Sequence, residues 1–309
     1  MTLMFLVFGE AQHNHLQANF AILTHLLERK ALSKVVVMTD APENYRAIRD
    51  ERVVVDAIRI DDLTDWRGPH DFFWRIKIKA LEAIAGRYPE DHVMYTDADT
   101  FRFGHLAHIQ QKLEKGETLM HAREGKVSEL RTSTEKQMWK QCRGKTFGGI
   151  SINEHSTMFN AGVVAIPRSL VKKAVALALR ICDDMCAADV TRRLVEQFAL
   201  SLALAEVGKL GAANATIGHY WGNKAGWNEL INSFFLRHHL AGSTYAEQVA
   251  DAANTDFRSI PIYRRSSGTQ NKLHRLVDKQ FEKHIYAYVP KPGEEDDRSE
   301  RLLARHLKS

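Results

Sequence analysis

HVMYTDADT, residues 92–100, joins an unbroken apolar run to a pair of carboxylates, Asp97 and Asp99, one residue apart. A short apolar run without alternation reads as a strand buried on both faces. If the chain turns at its end, both carboxylates project toward one point and form a hard, oxygen-rich site of the kind Mn2+ or Mg2+ takes. Taken alone, the same pair is also an ordinary polar turn closing a strand. The surrounding sequence decides between these.

Upstream, Leu3 to Phe8, KVVVMT (34–39) and RVVVDAIRI (52–60) are three further strand-like runs. Helical periodicity over Gln17 to Arg29 separates the first two, and Trp74 to Ala85 predicts a helix just before the fourth strand. Strands alternating with helices predict a mostly parallel sheet covered on both faces, and such sheets gather ligands at the carboxyl ends of their strands. Downstream, Leu106 to Lys115 predicts a helix and Thr118 to Ala122 a strand. Arg123 to Asn153, polar and glycine-bearing, predicts a long functional loop. A strand over Met158 to Pro167, helices over Ser169 to Asp184 and Leu194 to Val207, and a run from Gly211 to Ile217 lead into HYWG at 219–222. Near the end, PKPGEEDD marks a break before a short basic terminal helix.

The chain has 309 residues, 44% of them hydrophobic, enough for one large α/β domain with an extension. Its net charge of +5 is scattered among acids, which points away from nucleic acid and suits a phosphorylated or membrane-bound substrate. Only three cysteines occur, and Cys182 and Cys186 at helical spacing read as buried thiols in a reducing compartment. MTLMFLVFGE lacks a basic leader region and a cleavage site, and nothing approaches a membrane span of ~20 apolar residues, so a cytoplasmic location is expected. His13 with His15, and His238 with His239, lack further ligands at metal spacing and read as solvated or structural.

In order and in type, MYTDADTFRF, preceded by WRIKIKAL and followed by FNAGVVAI and IGHYWGNKAGW, resembles the GT-A glycosyltransferases, in particular the glycogenin-like and bacterial galactosyltransferase-like enzymes. The resemblance runs from Leu3 to Trp227. It implies an α/β fold of the nucleotide-diphospho-sugar transferase type, with a mostly parallel central sheet flanked by helices. A catalytic domain is expected over 1–240, with a donor-binding half at about 1–122 and an acceptor-side half at about 123–240, followed by a helical extension over 241–309. The resemblance implies that Asp97 meets the ribose or the metal, and that Asp99 and His219 complete a site for Mn2+ or Mg2+. His219 stands in a segment similar to H-x-x-G-x-x-K-P-W, with Gly222 and Trp227 in place. Lys224 comes one residue early and Ala225-Gly226 replaces the proline, so contact of Lys224 with a diphosphate stays open.

Asn160-Ala161-Gly162 resembles the N-[AS]-G turn, where the Asn160 amide meets sugar hydroxyls and Gly162 lets backbone approach the ligand. Asn-x-Gly is also common in ordinary turns. Glu196-Gln197 resembles the acid-glutamine pair that faces the donor sugar. Of the basic residues Arg75, Lys77 and Lys79, the two lysines at i,i+2 fall on different helix faces, so one at most reaches the nucleotide, and Lys79 is the expected one. Phe8, Gly9 and Asp40 stand where base and ribose lie on such a sheet.

Together these imply a metal-dependent, hexosyltransferase-like and retaining enzyme moving a sugar from a UDP-sugar to the hydroxyl of a saccharide or lipid-linked acceptor. Cell-surface polysaccharide assembly, with peripheral contact at the inner face of the membrane, is the expected setting. The alternatives are a nucleotide-sugar-binding protein without turnover and a sugar nucleotidyltransferase, although GEAQHNHLQ from Gly9 does not resemble the latter's Gly-rich basic loop. Phe101 at the motif's fifth position and three strands ahead of the D-x-D argue against a phosphatase of the haloacid-dehalogenase type. For an inverting enzyme, the sequence identifies no carboxylate as general base.

Overall fold

The computed structural model describes residues 1–257, 260–263, 273, 276 and 277. In chain order the first half carries β1 (Thr2–Val7), α1 (Gln12–His25), β2 (Lys34–Thr39), β3 (Val53–Ala57), α2 (Ile60–Trp66), α3 (Arg75–Arg87), β4 (Val93–Thr96), β5 (Thr100–Arg102), α4 (Ala107–Glu114) and β6 (Thr118–Lys126). There follow α5 (Ser133–Cys142), β7 (Thr146–Phe147), β8 (Ile150–Ser151), β9 (Thr157–Ile166), α6 (Val171–Ala187), α7 (Val195–Val207), β10 (Leu210–Ala212), β11 (Ile217–His219), α8 (Lys224–Leu240) and α9 (Tyr245–Ala253).

Seven strands form one sheet in the order β10-β6-β9-β4-β1-β2-β3. All pairings are parallel except those of β9, which runs antiparallel to both β4 and β6. The fold is therefore the α/β class with a mostly parallel central sheet flanked by helices. Its strands read as continuous apolar runs because both faces are covered. Leu3 and Phe5 of β1 pack with Phe20 and Ile22 of α1 and with Trp227 and Phe234 of α8 in one cluster. Met4 packs on the opposite face with Ile76, Leu81 and Ile84 of α3 and with the apolar sides of α6 and α7. Fully burying one such side chain contributes about 1.5–3 kcal/mol, so two-sided coverage accounts for the absence of alternation.

Residues 123–153, expected as a long loop, instead carry the second half of β6, α5 and the hairpin of β7 and β8. Helix α5 is capped by Thr132, whose hydroxyl accepts from the Glu135 backbone while the Glu135 side chain accepts from the Thr132 backbone. Its buried side is small, Met138 and Cys142, which is why the stretch looks polar throughout. Helix α8 was also unforeseen; it buries Trp227, Ile231, Phe234 and His238 on one stripe.

The expected division at residue 240 falls at the end of α8, whereas the first compact unit spans Met1–Arg264. Helix α9 belongs to it because Val249 and Ala252 are buried in the same cluster as Phe20. Residues 265–309 form a second unit. The expected terminal helix and the PKPGEEDD break lie outside the described residues. The three cysteines are free and buried. Among the described residues, no helix is long and apolar enough to cross a membrane.

Candidate functional site

Asp97 and Asp99 sit in the turn that carries β4 into β5. The Asp97 backbone N–H donates to Gly162 O at 2.9 Å, and the Thr100 hydroxyl donates to Asp97 O at 2.7 Å. β5 then pairs antiparallel with β11, placing Thr100 opposite His219, and the backbone N–H of Tyr220 donates to Asp99 O at 3.1 Å. Two strand ends thus deliver two carboxylates and an imidazole to one point. One ligand atom from each of Asp97, Asp99 and His219 lies within 4.8 Å of the others.

The protonation of His219 follows from its neighbours. Its Nδ1 lies 3.0 Å from Asn160 Oδ1, which also accepts from the Gly162 backbone N–H at 3.0 Å. A backbone N–H can only donate, so the Asn160 atom it meets is the oxygen, and His219 Nδ1 carries a proton. That leaves Nε2 with its lone pair, buried and without a hydrogen-bond partner, 3.2 Å from Asp99 Oδ1 and 3.8 Å from Asp97 Oδ2. A buried acceptor facing two carboxylate oxygens is unfavourable unless a cation or a further proton lies between them. Two oxygens and an imidazole nitrogen whose other ring nitrogen is held by a hydrogen bond suit a divalent ion such as Mn2+ or Mg2+.

Gly162 makes the approach possible. A Cβ at this position would lie 2.2 Å from His219 Nδ1 and 2.4 Å from its Cε1, so no other residue leaves the ring where it is.

Two lysines complete the electrostatics. Lys77 on α3 is buried, with its Nζ 3.2 Å from Asp97 Oδ1 and 3.2 Å from Glu196 Oε1, and it donates to Ala161 O at 3.3 Å. Burial alone would lower its pKa, but Asp97 and Glu196 outweigh that and hold it above the usual lysine range. Burial raises the Glu196 carboxyl despite Lys77. The Tyr95 hydroxyl donates to Asp97 Oδ1 at 2.5 Å, and its own pKa is raised by burial and by that carboxylate. Lys224, with 51% of its side chain exposed, lies 2.9 Å from Asp99 Oδ2. Burial would push Asp99 up, but Lys224 and, whenever its Nε2 takes up a second proton, His219 hold it well below the carboxylate range.

These groups line a cavity of about 410 Å³ at the carboxyl edge of the sheet. Of the residues expected from the sequence, Phe8, Asp97, Asp99, Asn160, Gly162, Glu196, Gln197, His219 and Lys224 line it. Gly9, Asp40, Lys79 and Gly222 do not. The Gly9 N–H donates to both carboxylate oxygens of Asp40 at 3.1 Å, so this pair closes the turn after β1. Lys79 pairs with Glu82 on its own helix. Gly222 is covered by Tyr263, whose ring a Cβ would meet at 2.0 Å.

Lys77, not Lys79, lines the cavity, and a signal for it exists in the sequence. Lys77 lies on the apolar stripe of α3 with Ala80, Leu81 and Ile84, all buried, whereas Lys79 falls off that stripe. Sequence reasoning also missed Phe73, Trp74 and Trp221 at the cavity wall. It missed Glu124 too, which accepts from the side-chain amides of Asn160 at 3.3 Å and Gln197 at 2.9 Å.

No family model and no curated protein matches this chain. Among solved structures it is similar to the galactosyltransferase LgtC, crystallised with donor and acceptor sugar analogues, at 14% sequence identity and a TM-score of 0.45, over 94% of this chain and 98% of that one. A likeness that loose says nothing of ligand or chemistry.

Proposed function

We propose that this chain is a metal-dependent glycosyltransferase that moves a sugar from a nucleoside-diphosphate sugar, a UDP-sugar in the first instance, to the hydroxyl of a saccharide acceptor. The observation that carries the reading is the lone pair of His219 Nε2, buried and unpartnered between the carboxylates of Asp97 and Asp99. A divalent cation held by these three residues would stabilise the negative charge that collects on a departing nucleoside diphosphate.

The remaining chemistry falls to the chain's own residues. Lys224, half exposed beside Asp99, is free to exchange that partner for a diphosphate oxygen. Lys77 balances the charge of Asp97 and Glu196 in the cavity floor. In the transfer, the acceptor oxygen bonds to the anomeric carbon as that carbon's bond to the phosphate oxygen breaks. The electron pair leaves with the diphosphate, and the acceptor proton passes to a phosphate oxygen.

Retention of configuration fits the carboxylates present. Among the described residues that line the cavity, only Asp97, Asp99 and Glu196 are acidic, and each is engaged by a lysine. A carboxylate already neutralised by an ammonium is a poor general base for inversion. The family resemblance and the net charge of +5 support a hexosyl donor and a lipid-linked acceptor in cell-surface polysaccharide assembly, at the cytoplasmic face of a membrane.

The test is binding and hydrolysis of a panel of nucleotide sugars with and without Mn2+, in the wild type, Asp99→Ala and His219→Ala. Metal-dependent release of nucleoside diphosphate from one donor, lost in both variants, is the expected result. Failure of every donor to bind with metal present refutes the reading.

A further inference from the structure

We infer that Asn160, backed by Glu124, is a positioning residue that sets the tautomer and orientation of His219, and that its amide oxygen is not available to the sugar. This rests on the reading of Asp97, Asp99 and His219 as metal ligands.

The hydrogen bonds of the Asn160 amide leave it almost no spare capacity. Asn160 Oδ1 accepts from His219 Nδ1 at 3.0 Å and from the Gly162 N–H at 3.0 Å. Its Nδ2 donates to Glu124 Oε1 at 3.3 Å. The oxygen has filled both its lone pairs and the amide nitrogen already has an acceptor. Asn160 therefore has little left with which to recognise a hydroxyl, although it lines the cavity.

Glu124 holds a second amide in the same way. Its Oε2 accepts from Gln197 Nε2 at 2.9 Å, and Gln197 Oε1 accepts from the Ala161 N–H at 3.3 Å. A carboxylate can only accept, so Glu124 dictates which end of each amide is the nitrogen. Its aim comes from the backbone. The pairing of β6 with β9 shifts register between Arg123 and Gly125, and Gly125 sits at φ +133°. Such an irregularity re-aims the side chain it carries.

The consequence reaches the ligand. With Asn160 Oδ1 fixed toward His219, the imidazole proton sits on Nδ1 and the Nε2 lone pair faces Asp97 and Asp99. With that acceptor removed, the proton is better placed on Nε2, where it points at the two carboxylates and blocks the coordinating atom.

The test uses the full-length protein without nucleotide sugar, so that a role confined to the sugar gives no signal. Mn2+ affinity is measured by titration calorimetry in the wild type, Asn160→Leu, Asn160→Asp, Glu124→Gln and the double variant E124Q/N160D. The His219 tautomer is read in parallel by 15N NMR of histidine-labelled, metal-free protein at pH 9. Asn160→Leu is expected to lose about 10-fold to 100-fold in affinity and to move the proton toward Nε2. Asn160→Asp keeps the acceptor but sets a second carboxylate against Glu124, so it retains the Nδ1–H tautomer with an affinity below that of the double variant. Glu124→Gln loses less than Asn160→Leu, and the double variant returns to within about threefold of wild type, because a carboxylate at position 160 offers an acceptor oxygen whichever way it is turned and the glutamine amide at position 124 can donate to it. If Asn160→Leu fails to fold, Glu124→Gln and its rescue decide the matter alone.

Unchanged Mn2+ affinity in both Asn160→Leu and Glu124→Gln would overturn the inference and return Asn160 to the sugar. A wild type that binds no Mn2+ refutes the metal reading itself.

Discussion

Gly162→Ala adds one methyl group at the closest approach in the site, and its effect can be worked out from the contacts. The new Cβ would lie 2.2 Å from His219 Nδ1, 2.4 Å from Cε1 and 2.9 Å from Cγ. Carbon and nitrogen need about 3.5 Å between them, so the ring must retreat by roughly 1 Å. Its retreat is obstructed, because the His121 ring stands edge-on with its centroid 5.2 Å away, and His219 is anchored by its pairing with Thr100. Overpacking of this kind costs about 1–3 kcal/mol, a fall of several degrees in melting temperature for a domain of this size. The effect on metal is larger, since coordination distances tolerate only about 0.2 Å. Gly9→Ala is the control. Gly9 also has a positive φ, +90°, but a Cβ there meets nothing within 4 Å, so it carries backbone strain without touching the site. Mn2+ titration and thermal unfolding of both variants are expected to show similar destabilisation, with metal binding lost only in Gly162→Ala. If Gly162→Ala binds Mn2+ within threefold of wild type, then His219 is not held where the site requires it.

Lys77→Met leaves the buried carboxylate of Glu196 and the half-buried one of Asp97 without their cation and should cost about 3 kcal/mol in urea unfolding, whereas Lys79→Met should stay within about 0.5 kcal/mol; equal effects would refute the different environments of the two lysines on α3. The Asp99 pKa is depressed in the folded state, so its stabilisation is complete above about pH 4, the unfolded value. That stabilisation is lost as pH falls through the folded value, and in metal-free protein Asp99→Asn should flatten the decline in stability below pH 4. Lys224→Ala frees Asp99 Oδ2 from its ammonium, so Mn2+ affinity without nucleotide should rise. The KM for the sugar nucleotide should meanwhile rise about tenfold, and a fall in both affinities would place Lys224 as a structural partner only.

The sheet was legible because its strands are covered on both faces, and such strands announce themselves as apolar runs. The cluster of Asp97, Asp99 and His219 was legible for a related reason, since each of its members follows the end of an apolar run or closes one. Elements that bury little were not legible. Helix α5 hides only Met138 and Cys142, and its one plain signal was the capping pair Thr132 and Glu135. Helix α8 was concealed differently, by Gly226 near its start and by His238 within the buried stripe of Trp227, Ile231 and Phe234. Spacing before the D-x-D points to Lys79, whereas the apolar stripe of α3 singles out Lys77 as the buried lysine. Glu124 had no signal at all, because its aim depends on a register shift in strand pairing that a linear reading does not contain.

Strand β9 is the one member of the sheet that runs against its neighbours, and this governs when the site can exist. Parallel strands bring their last residues to the ligand edge. An antiparallel strand brings its first, which is how Asn160 and Gly162 come to lie beside Asp97. The pocket therefore cannot be assembled as the chain emerges from the ribosome. Asp97 and Asp99 are synthesised long before β9 is available to close over them, and His219 arrives later still. Until β11 is made, the nascent polypeptide presents two carboxylates with no imidazole beside them. Capture of the metal is thereby deferred to the completed fold, and a fragment ending before residue 219 should leave the ion in solution.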